Sequence, residues 1–149
     1  MKKKIAGLLG ALMISSSIGF AAVASEQIAL GGIVPGATMD EIIAVYGQPV
    51  QVDDDEYSFG TGFIVKVDDH NRNIIEKIIT INDNGIETPN GVRVGMNESV
   101  IQSTYGRPDK IDRDVYDTEY KYRSFDKSRE MEFKVVNGTI VKIKVEVHD

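Results

Sequence analysis

The chain has 149 residues, with 17 Lys and Arg against 23 Asp and Glu, two His, and neither Cys nor Trp. This length fits one ordinary domain or two very small ones. The absence of Cys excludes a disulfide framework, a thiolate metal site, a cysteine nucleophile and a lipid-modified N-terminal cysteine. Two His leave little room for a histidine-rich zinc or copper site.

Residues 1–24 have the pattern of a secretory signal peptide. Lys2, Lys3 and Lys4 form a positive start, Ile5 to Ile14 is an apolar run, and Ala22-Val23-Ala24 is a small-x-small cleavage signature. We expect cleavage after Ala24, which leaves no stable membrane anchor. The alternative is an uncleaved anchor helix, since a membrane span needs about 20 apolar residues.

Removal of the signal peptide makes the chain more acidic. Residues 1–24 hold three Lys and no acid, so the remainder carries 14 basic and 23 acidic side chains and a net charge of −9. Nucleic acids and anionic membranes repel such a chain. With no lipobox cysteine, we expect a secreted or periplasmic protein whose partners are basic proteins or cations.

The chain contains an internal repeat with an offset of 59 residues. Self-similarity of this kind indicates a duplicated structural unit. It predicts two units, residues 25–84 and residues 85–149. The six matching pairs are Gly32 and Gly91, Gly36 and Gly95, Ile42 and Ile101, Tyr46 and Tyr105, Gly47 and Gly106, and Pro49 and Pro108.

Each unit starts with a short helix whose ends are marked in the sequence. Thr38 and Glu41 have the spacing of a capping box, and Asn97 is the corresponding cap in the second unit. Gly47 and Gly106 are suited to the position just past a helix end. Helices of two to three turns are unstable alone, so we expect both to lie on a sheet.

Several β-rich runs follow each helix. The first unit has the runs 63–67 and 74–81, and the second has 116–122, 131–135 and 141–147. Asn137-Gly138 between the last two runs predicts a β-hairpin. The sequence therefore predicts an α+β fold of two tandem repeats, each a short helix followed by a three- to four-stranded antiparallel sheet.

The repeated signature Gly-x-x-x-Gly-x-Thr/Asn, a short helix, Tyr-Gly-x-Pro and a β-meander resembles the β-lactamase inhibitor protein (BLIP)-like superfamily. It is also similar to the small outer-membrane assembly lipoproteins of the SmpA/OmlA (BamE) type. The resemblance runs over Gly32–Ile81 and Gly91–Val147. It implies a BLIP-like architecture and a non-enzymatic interaction module without a cofactor. The missing lipobox cysteine departs from the lipoprotein pattern.

The acidic stretch Asp53, Asp54, Asp55 and Glu56 is the candidate metal site. Calcium takes six to eight oxygen ligands, which an acidic loop can supply. The spacing follows no calcium-loop pattern, and a solvated acidic loop is the alternative reading. His70 and His148 have no second His or well-spaced carboxylate beside them in the sequence and are read as surface residues.

Aromatic residues next to basic ones are the candidate protein contacts. Tyr and Arg are enriched in the hot spots of protein interfaces. If the sheet has an exposed face, we expect Tyr120, Tyr122 and Arg123 to contribute to it, with Tyr57 as their counterpart in the first unit.

The sequence as a whole predicts a non-enzymatic protein-interaction module of the bacterial cell envelope. No catalytic serine elbow or phosphate-binding loop occurs in it. The alternatives are an envelope protein that binds calcium or a small ligand, and an inhibitor of a β-lactamase or protease.

Overall fold

The computed structural model describes residues 23–148, so the predicted signal peptide lies outside the described residues except for Val23 and Ala24. An eight-stranded antiparallel sheet dominates this part of the chain. Two short helices, α1 (Met39–Tyr46) and α2 (Ser99–Tyr105), pack on one side of it. The strands are β1 (Gln51–Asp53), β2 (Glu56–Ser58), β3 (Phe63–Val67), β4 (Ile75–Thr80), β5 (Lys110–Arg113), β6 (Thr118–Arg123), β7 (Arg129–Val136) and β8 (Thr139–Val147).

The strands form one continuous sheet in the order β1-β2-β3-β4-β8-β7-β6-β5. Strands β4 and β8 join the two halves, with Ile78 opposite Val145 and Thr80 opposite Ile143. The predicted α+β class of two helix-plus-sheet repeats is therefore wrong, and the fold is mainly β. The error has a physical cause. Neighbouring residues in the sequence specify the turns within each half, whereas β4 and β8 are far apart in the sequence and no short motif predicts their pairing.

Helix α1 begins and ends where the sequence predicts. The Thr38 Oγ1 accepts a hydrogen bond from the Glu41 N–H at 3.3 Å, and the Glu41 carboxylate accepts one from the Thr38 N–H at 2.6 Å. This reciprocal pair is the predicted capping box. Gly47, at φ +80°, ends the helix. The predicted start and end of α1 are confirmed.

The side of the sheet under the helices, which we call the covered face, holds the core. One row of directly opposed residues on this face crosses seven strands: Val52, Tyr57, Val65, Ile78, Val145, Met131 and Tyr122. The Tyr46 ring of α1 lies 5.0 Å from the Phe63 ring, and the Tyr105 ring of α2 lies 5.5 Å from that of Tyr122. Both helices therefore shield the same side of the sheet.

A tight turn at the N-terminal end of the fold supports α1. Leu30 and Ile33 exchange two backbone hydrogen bonds of 3.0 Å around Gly31 and Gly32. Both glycines have positive φ, +59° and +81°, as a type I′ turn requires. The Tyr46 hydroxyl donates to the Gly31 carbonyl, which ties the end of α1 to this turn.

The predicted β7–β8 hairpin is confirmed. Asn137 and Gly138 occupy its turn with φ values of +50° and +76°. Asn and Gly adopt positive φ at the least cost, which is why this pair specifies the turn.

Candidate functional site: the open face of the sheet

The side of the sheet opposite the helices, which we call the open face, is the candidate functional site. One row of directly opposed residues crosses all eight strands on this face. Side chains of directly opposed residues in a sheet lie on the same side and contact one another. In strand order the row is Gln51, Ser58, Ile64, Ile79, Lys144, Glu132, Lys121 and Lys110.

Seven charged residues on the open face are joined in a continuous network, which we call the charge ladder. It runs over five strands through alternating cations and carboxylates at N···O distances of 3.1 to 3.6 Å. Each acid is shared between two cations, so every charge in the ladder lies within 3.6 Å of an opposite charge. Its members are Lys77, Glu146, Lys144, Glu132, Lys121, Asp112 and Lys110.

The centre of the ladder is partly withdrawn from water. Glu132 is only 6% exposed and lies between Lys121 and Lys144. Burial disfavours the charged form of Lys144, but the carboxylates of Glu132 and Glu146 outweigh it and raise the pKa of Lys144. Burial likewise opposes ionisation of Glu146, and Lys144 and Lys77 outweigh it and lower the pKa of Glu146. These charges hold one another in place and are not free to bind a partner.

The open face of β1–β4 is different in character. Ile64 and Ile79 are directly opposite each other on this face, and both are partly exposed. Beside them, Asp53 and Glu56 are directly opposite each other at the outer edge of the sheet, and both are exposed. Within residues 23–148, neither carboxylate has a cationic group within 4.0 Å. We call these four residues the acidic–apolar patch.

A shallow depression forms part of the patch. It has a volume of about 180 Å³ and is lined by Gln51, Asp53, Glu56, Ser58 and Ile64. Its floor is apolar and its rim carries two carboxylates, a hydroxyl and an amide. This combination can accept a side chain that has an apolar stem and a cationic or hydrogen-bonding end.

The predicted acidic loop is the β1–β2 turn, and its carboxylates do not converge. The Asp54 carboxylate pairs with Arg72 at 3.1 Å, and that of Asp55 pairs with Lys66 at 3.0 Å. The Lys66 ammonium lowers the pKa of Asp55. Asp53 and Glu56 face each other without a third acid, and residues 23–148 hold no group of three or more Asp, Glu or His that could bind a metal ion.

Of the four predicted contact residues, only Arg123 lies on the open face, where it pairs with Glu130 at 3.3 Å. Tyr120 and Tyr122 are 5% and 0% exposed in the core, and Tyr57 packs partly buried on the covered face. The expectation that Tyr120 and Tyr122 lie on an exposed face is wrong. Apolar neighbours and the helices cover the tyrosine side of β6, so its charged side faces water.

Ile64 and Ile79 are not among the predicted contact residues, although the sequence carries a signal for both. A strand with one solvated face alternates apolar and polar residues. Phe63-Ile64-Val65 and Ile78-Ile79 break this alternation with consecutive apolar residues. The break marks the strands whose second face is also apolar.

No family model matches the chain, and no curated protein matches its sequence. Among solved structures, the chain is similar to a DUF4309 family protein (YjgB) from Bacillus subtilis subsp. subtilis str. 168, with 17% identity, a TM-score of 0.47 and coverage of 74% of this chain and 78% of that one. It is also similar to an extracellular protein containing an SCP domain from Bacillus anthracis str. Ames, with 7% identity, a TM-score of 0.43 and coverage of 75% of this chain and 43% of that one. Neither structure is described as BLIP-like or SmpA/OmlA-like. Neither helix of the described chain has the length and hydrophobicity of a membrane span.

Proposed function

We propose that the protein is a secreted or periplasmic, non-enzymatic interaction module that binds another protein through the acidic–apolar patch. The supporting observation is the coincidence of a partly exposed isoleucine pair with two exposed carboxylates that form no ion pair within 4.0 Å in the described chain, since Lys66, directly opposite Glu56, is bonded to Asp55. Elsewhere on the open face, each member of the charge ladder lies within 3.6 Å of an opposite charge.

The isoleucine pair supplies the favourable term for association. Covering Ile64 and Ile79 removes apolar surface from water and separates no ion pair of the ladder. Burial of apolar surface contributes about 25 cal/mol per Å². The partner therefore presents an apolar side chain to this part of the sheet.

The two carboxylates supply the charge preference. Like charges directly opposite each other across two strands repel, and a cation placed between them relieves the repulsion. Asp53 and Glu56 stand in this relation at the edge of the patch. We therefore infer that the partner carries Lys or Arg next to its apolar contact, which agrees with the acidic net charge of the chain.

The test is capture of a partner from envelope and culture-supernatant fractions on the immobilised exported protein. The captured protein is then titrated against Ile79→Asp and against the double variant Asp53→Lys/Glu56→Lys. We expect each change to weaken binding at least tenfold, as for hot-spot residues of other interfaces. We also expect added salt to slow association, because exposed charges steer the encounter.

Two variants on the helix side serve as matched controls. Asp40 and Val45 are exposed on α1, on the other side of the sheet, and Val45 is 65% exposed. Asp40→Lys and Val45→Asp repeat the same chemical changes away from the patch and should leave binding intact. The proposal would be contradicted if the patch variants bound the partner as tightly as the unaltered protein, or if the helix variants weakened binding equally.

A further inference from the structure

Val23, the first described residue, belongs to the hydrophobic core. Its side chain is 3% exposed and packs in the main apolar cluster. Its carbonyl accepts a hydrogen bond from the Phe125 N–H at 2.8 Å, and it forms a parallel bridge with Ser124. Val23 is therefore a structural residue of the fold, although the sequence analysis places it inside the removed signal peptide.

The residues after Val23 hold it in this position. The Ala24 N–H donates to the Gln27 side chain at 3.0 Å, and the Gln27 N–H donates back to the Ala24 carbonyl at 2.9 Å. The Arg129 guanidinium of β7 donates to the Ser25 carbonyl at 2.8 Å. The segment is thus tied to the β6–β7 end of the sheet on both sides of Ala24.

The sequence offers several bonds that a signal peptidase can cleave, and two of them flank Val23. Small residues three positions and one position before the cut mark such a bond. Ala22 and Ala24 mark the bond before Ser25, and Gly19 and Ala21 mark the bond before Ala22. The bond between Ala22 and Val23 is unsuitable, because the bulky Phe20 stands three positions before it.

We propose that signal peptidase cleaves between Ala21 and Ala22, so that the mature chain begins at Ala22 and keeps Val23. Water adds across this amide, leaving a carboxylate on Ala21 and a free amino group on Ala22. Cleavage after Ala24 would discard a buried valine and a core-side hydrogen bond, whereas the earlier cut discards neither. The inference depends on the export that is part of the proposed function.

The decisive experiment is intact-mass measurement and N-terminal sequencing of the full-length gene product exported by a bacterial host. We expect a mature chain that begins at Ala22. A chain that begins at Ser25 would overturn this inference and leave export standing. A chain that keeps residues 1–21 would overturn export, and the inference with it.

Two variants show which of the two bonds is cleaved, because each variant blocks one of them. Ala22→Leu places a bulky residue three positions before the later bond, and Gly19→Leu does the same for the earlier bond. We expect Ala22→Leu to be cut at the same place as the unaltered protein, and Gly19→Leu to stay unprocessed or to be cut after Ala24. The reverse pattern would overturn the inference.

A comparison of thermal stability tests whether Val23 contributes to the folded state. Chains covering 22–149 and 25–149 are produced separately and melted under the same conditions, together with Val23→Ser in the longer chain. Loss of the buried valine and its hydrogen bond should lower Tm by roughly 5–10 °C. Val23→Ser should show a large part of this loss. Equal Tm values for the two chain lengths would remove the structural basis of the inference.

Discussion

Gly31 lies so close to Tyr46 that there is no room for a side chain. It has φ +59°, and a Cβ atom there would lie 2.4 Å from the Tyr46 hydroxyl oxygen. Tyr46 uses that hydroxyl to bond the Gly31 carbonyl, so any side chain at this position pushes against the contact that anchors α1. Gly32 next to it also has positive φ, +81°, but a Cβ there meets no atom within 4 Å.

Substitution of these two glycines separates the cost of backbone strain from the cost of losing the Tyr46–Gly31 contact. Left-handed backbone costs a residue with a side chain about 1–2 kcal/mol. We expect Gly32→Ala to lower the free energy of unfolding by about that amount, and Gly31→Ala by roughly 1–2 kcal/mol more because the Tyr46 contact is also lost. Urea unfolding of both variants measures the difference, and equal losses would show that the contact contributes nothing.

Tyr122 is a residue whose ionisation is coupled to folding. Its hydroxyl donates to the Gly106 carbonyl at 2.8 Å, and burial, together with nearby Tyr120, Tyr105 and Asp109, raises its pKa far above the usual value. In the unfolded chain it ionises near pH 10. Its contribution to stability is therefore complete below about pH 10 and is lost as the pH rises above that value.

We expect Tyr122→Phe to flatten the alkaline fall of the unfolding free energy by up to about 1.4 kcal/mol per pH unit. At neutral pH the variant should lose about 1 kcal/mol with its hydrogen bond. Denaturant unfolding between pH 8 and pH 11, as approximate limits, measures both. Tyr116→Phe is the control at neutral pH, because that side chain is 81% exposed. If the free energy of unfolding of Tyr122→Phe fell as steeply at alkaline pH as that of the unaltered protein, the coupling would be contradicted.

The orientation of the tyrosines shows how far one residue can be read from the sequence. Thr118, Tyr120 and Tyr122 alternate with Glu119, Lys121 and Arg123, so the sequence divides β6 into an aromatic and a charged side. Which side faces a partner depends on where the helices lie. The phenol groups of Tyr120 and Tyr122 are bonded to Glu98 and Gly106, at the two ends of α2, which shows how that helix satisfies them.

At the scale of secondary structure elements, the two helices begin differently. Helix α1 has the full Thr38–Glu41 capping box. Helix α2 begins after Glu98, which makes no side-chain cap and instead accepts a hydrogen bond from the Tyr120 hydroxyl at 3.0 Å. The side chain of Asn97, the predicted cap, accepts a hydrogen bond at 2.9 Å from the N–H of Ser99, the first residue of α2. The Asn97 side chain therefore accepts a hydrogen bond from the first N–H of α2, while the Glu98 carboxylate is engaged by β6.

We expect Thr38→Ala to lower the free energy of unfolding by about 1 kcal/mol, since it removes the side-chain half of the box. Thr38→Ser keeps the hydroxyl and should cost a few tenths of that amount, roughly 0.3 kcal/mol. Thermal unfolding of the two variants gives the comparison. A serine variant as unstable as the alanine variant would attribute the loss to packing of the threonine methyl group.

The elements that could be predicted are those specified by neighbours in the chain. The caps of α1 and the Asn137-Gly138 turn each depend on residues within a few positions of one another. The β4–β8 pairing joins Lys77 to Glu146 across most of the second half of the chain, and only the three-dimensional match of two apolar rows selects it. Ile64 and Ile79 pair between the consecutive strands β3 and β4, but their partial exposure depends on which side of the sheet the helices cover.

At the scale of the whole molecule, the charge ladder connects the β4–β8 junction to the β5 edge. Glu146 lies at the junction and bonds both Lys77, at 3.2 Å, and Lys144, at 3.1 Å. Because the pKa of Glu146 is lowered on folding, its contribution is present above about pH 4.3 and is lost as the pH falls through its folded value. Acid should therefore weaken the junction between the two halves.

We expect Glu146→Gln to lower stability at neutral pH by about 1–2 kcal/mol, because two partly buried lysines lose their shared partner. Below about pH 4, the free energy of unfolding of the variant should fall less steeply with decreasing pH, by up to about 1.4 kcal/mol per pH unit. Urea unfolding as a function of pH measures both quantities. A variant with the acid limb of the unaltered protein would show that the ladder does not hold the junction.

Strand β8 is the last element of the chain and occupies the middle of the sheet, between β4 and β7. In a chain made from its N-terminus, every other strand of this sheet is available before β8 appears. Until then β4 and β7 each lack a neighbour, and the two halves have no shared strand pairing. Long-range pairing of this kind is slow, because loop closure must come before the contacts that compensate for it. The topology therefore delays completion of the sheet until β8 is available and makes the joining of the two halves a single late event.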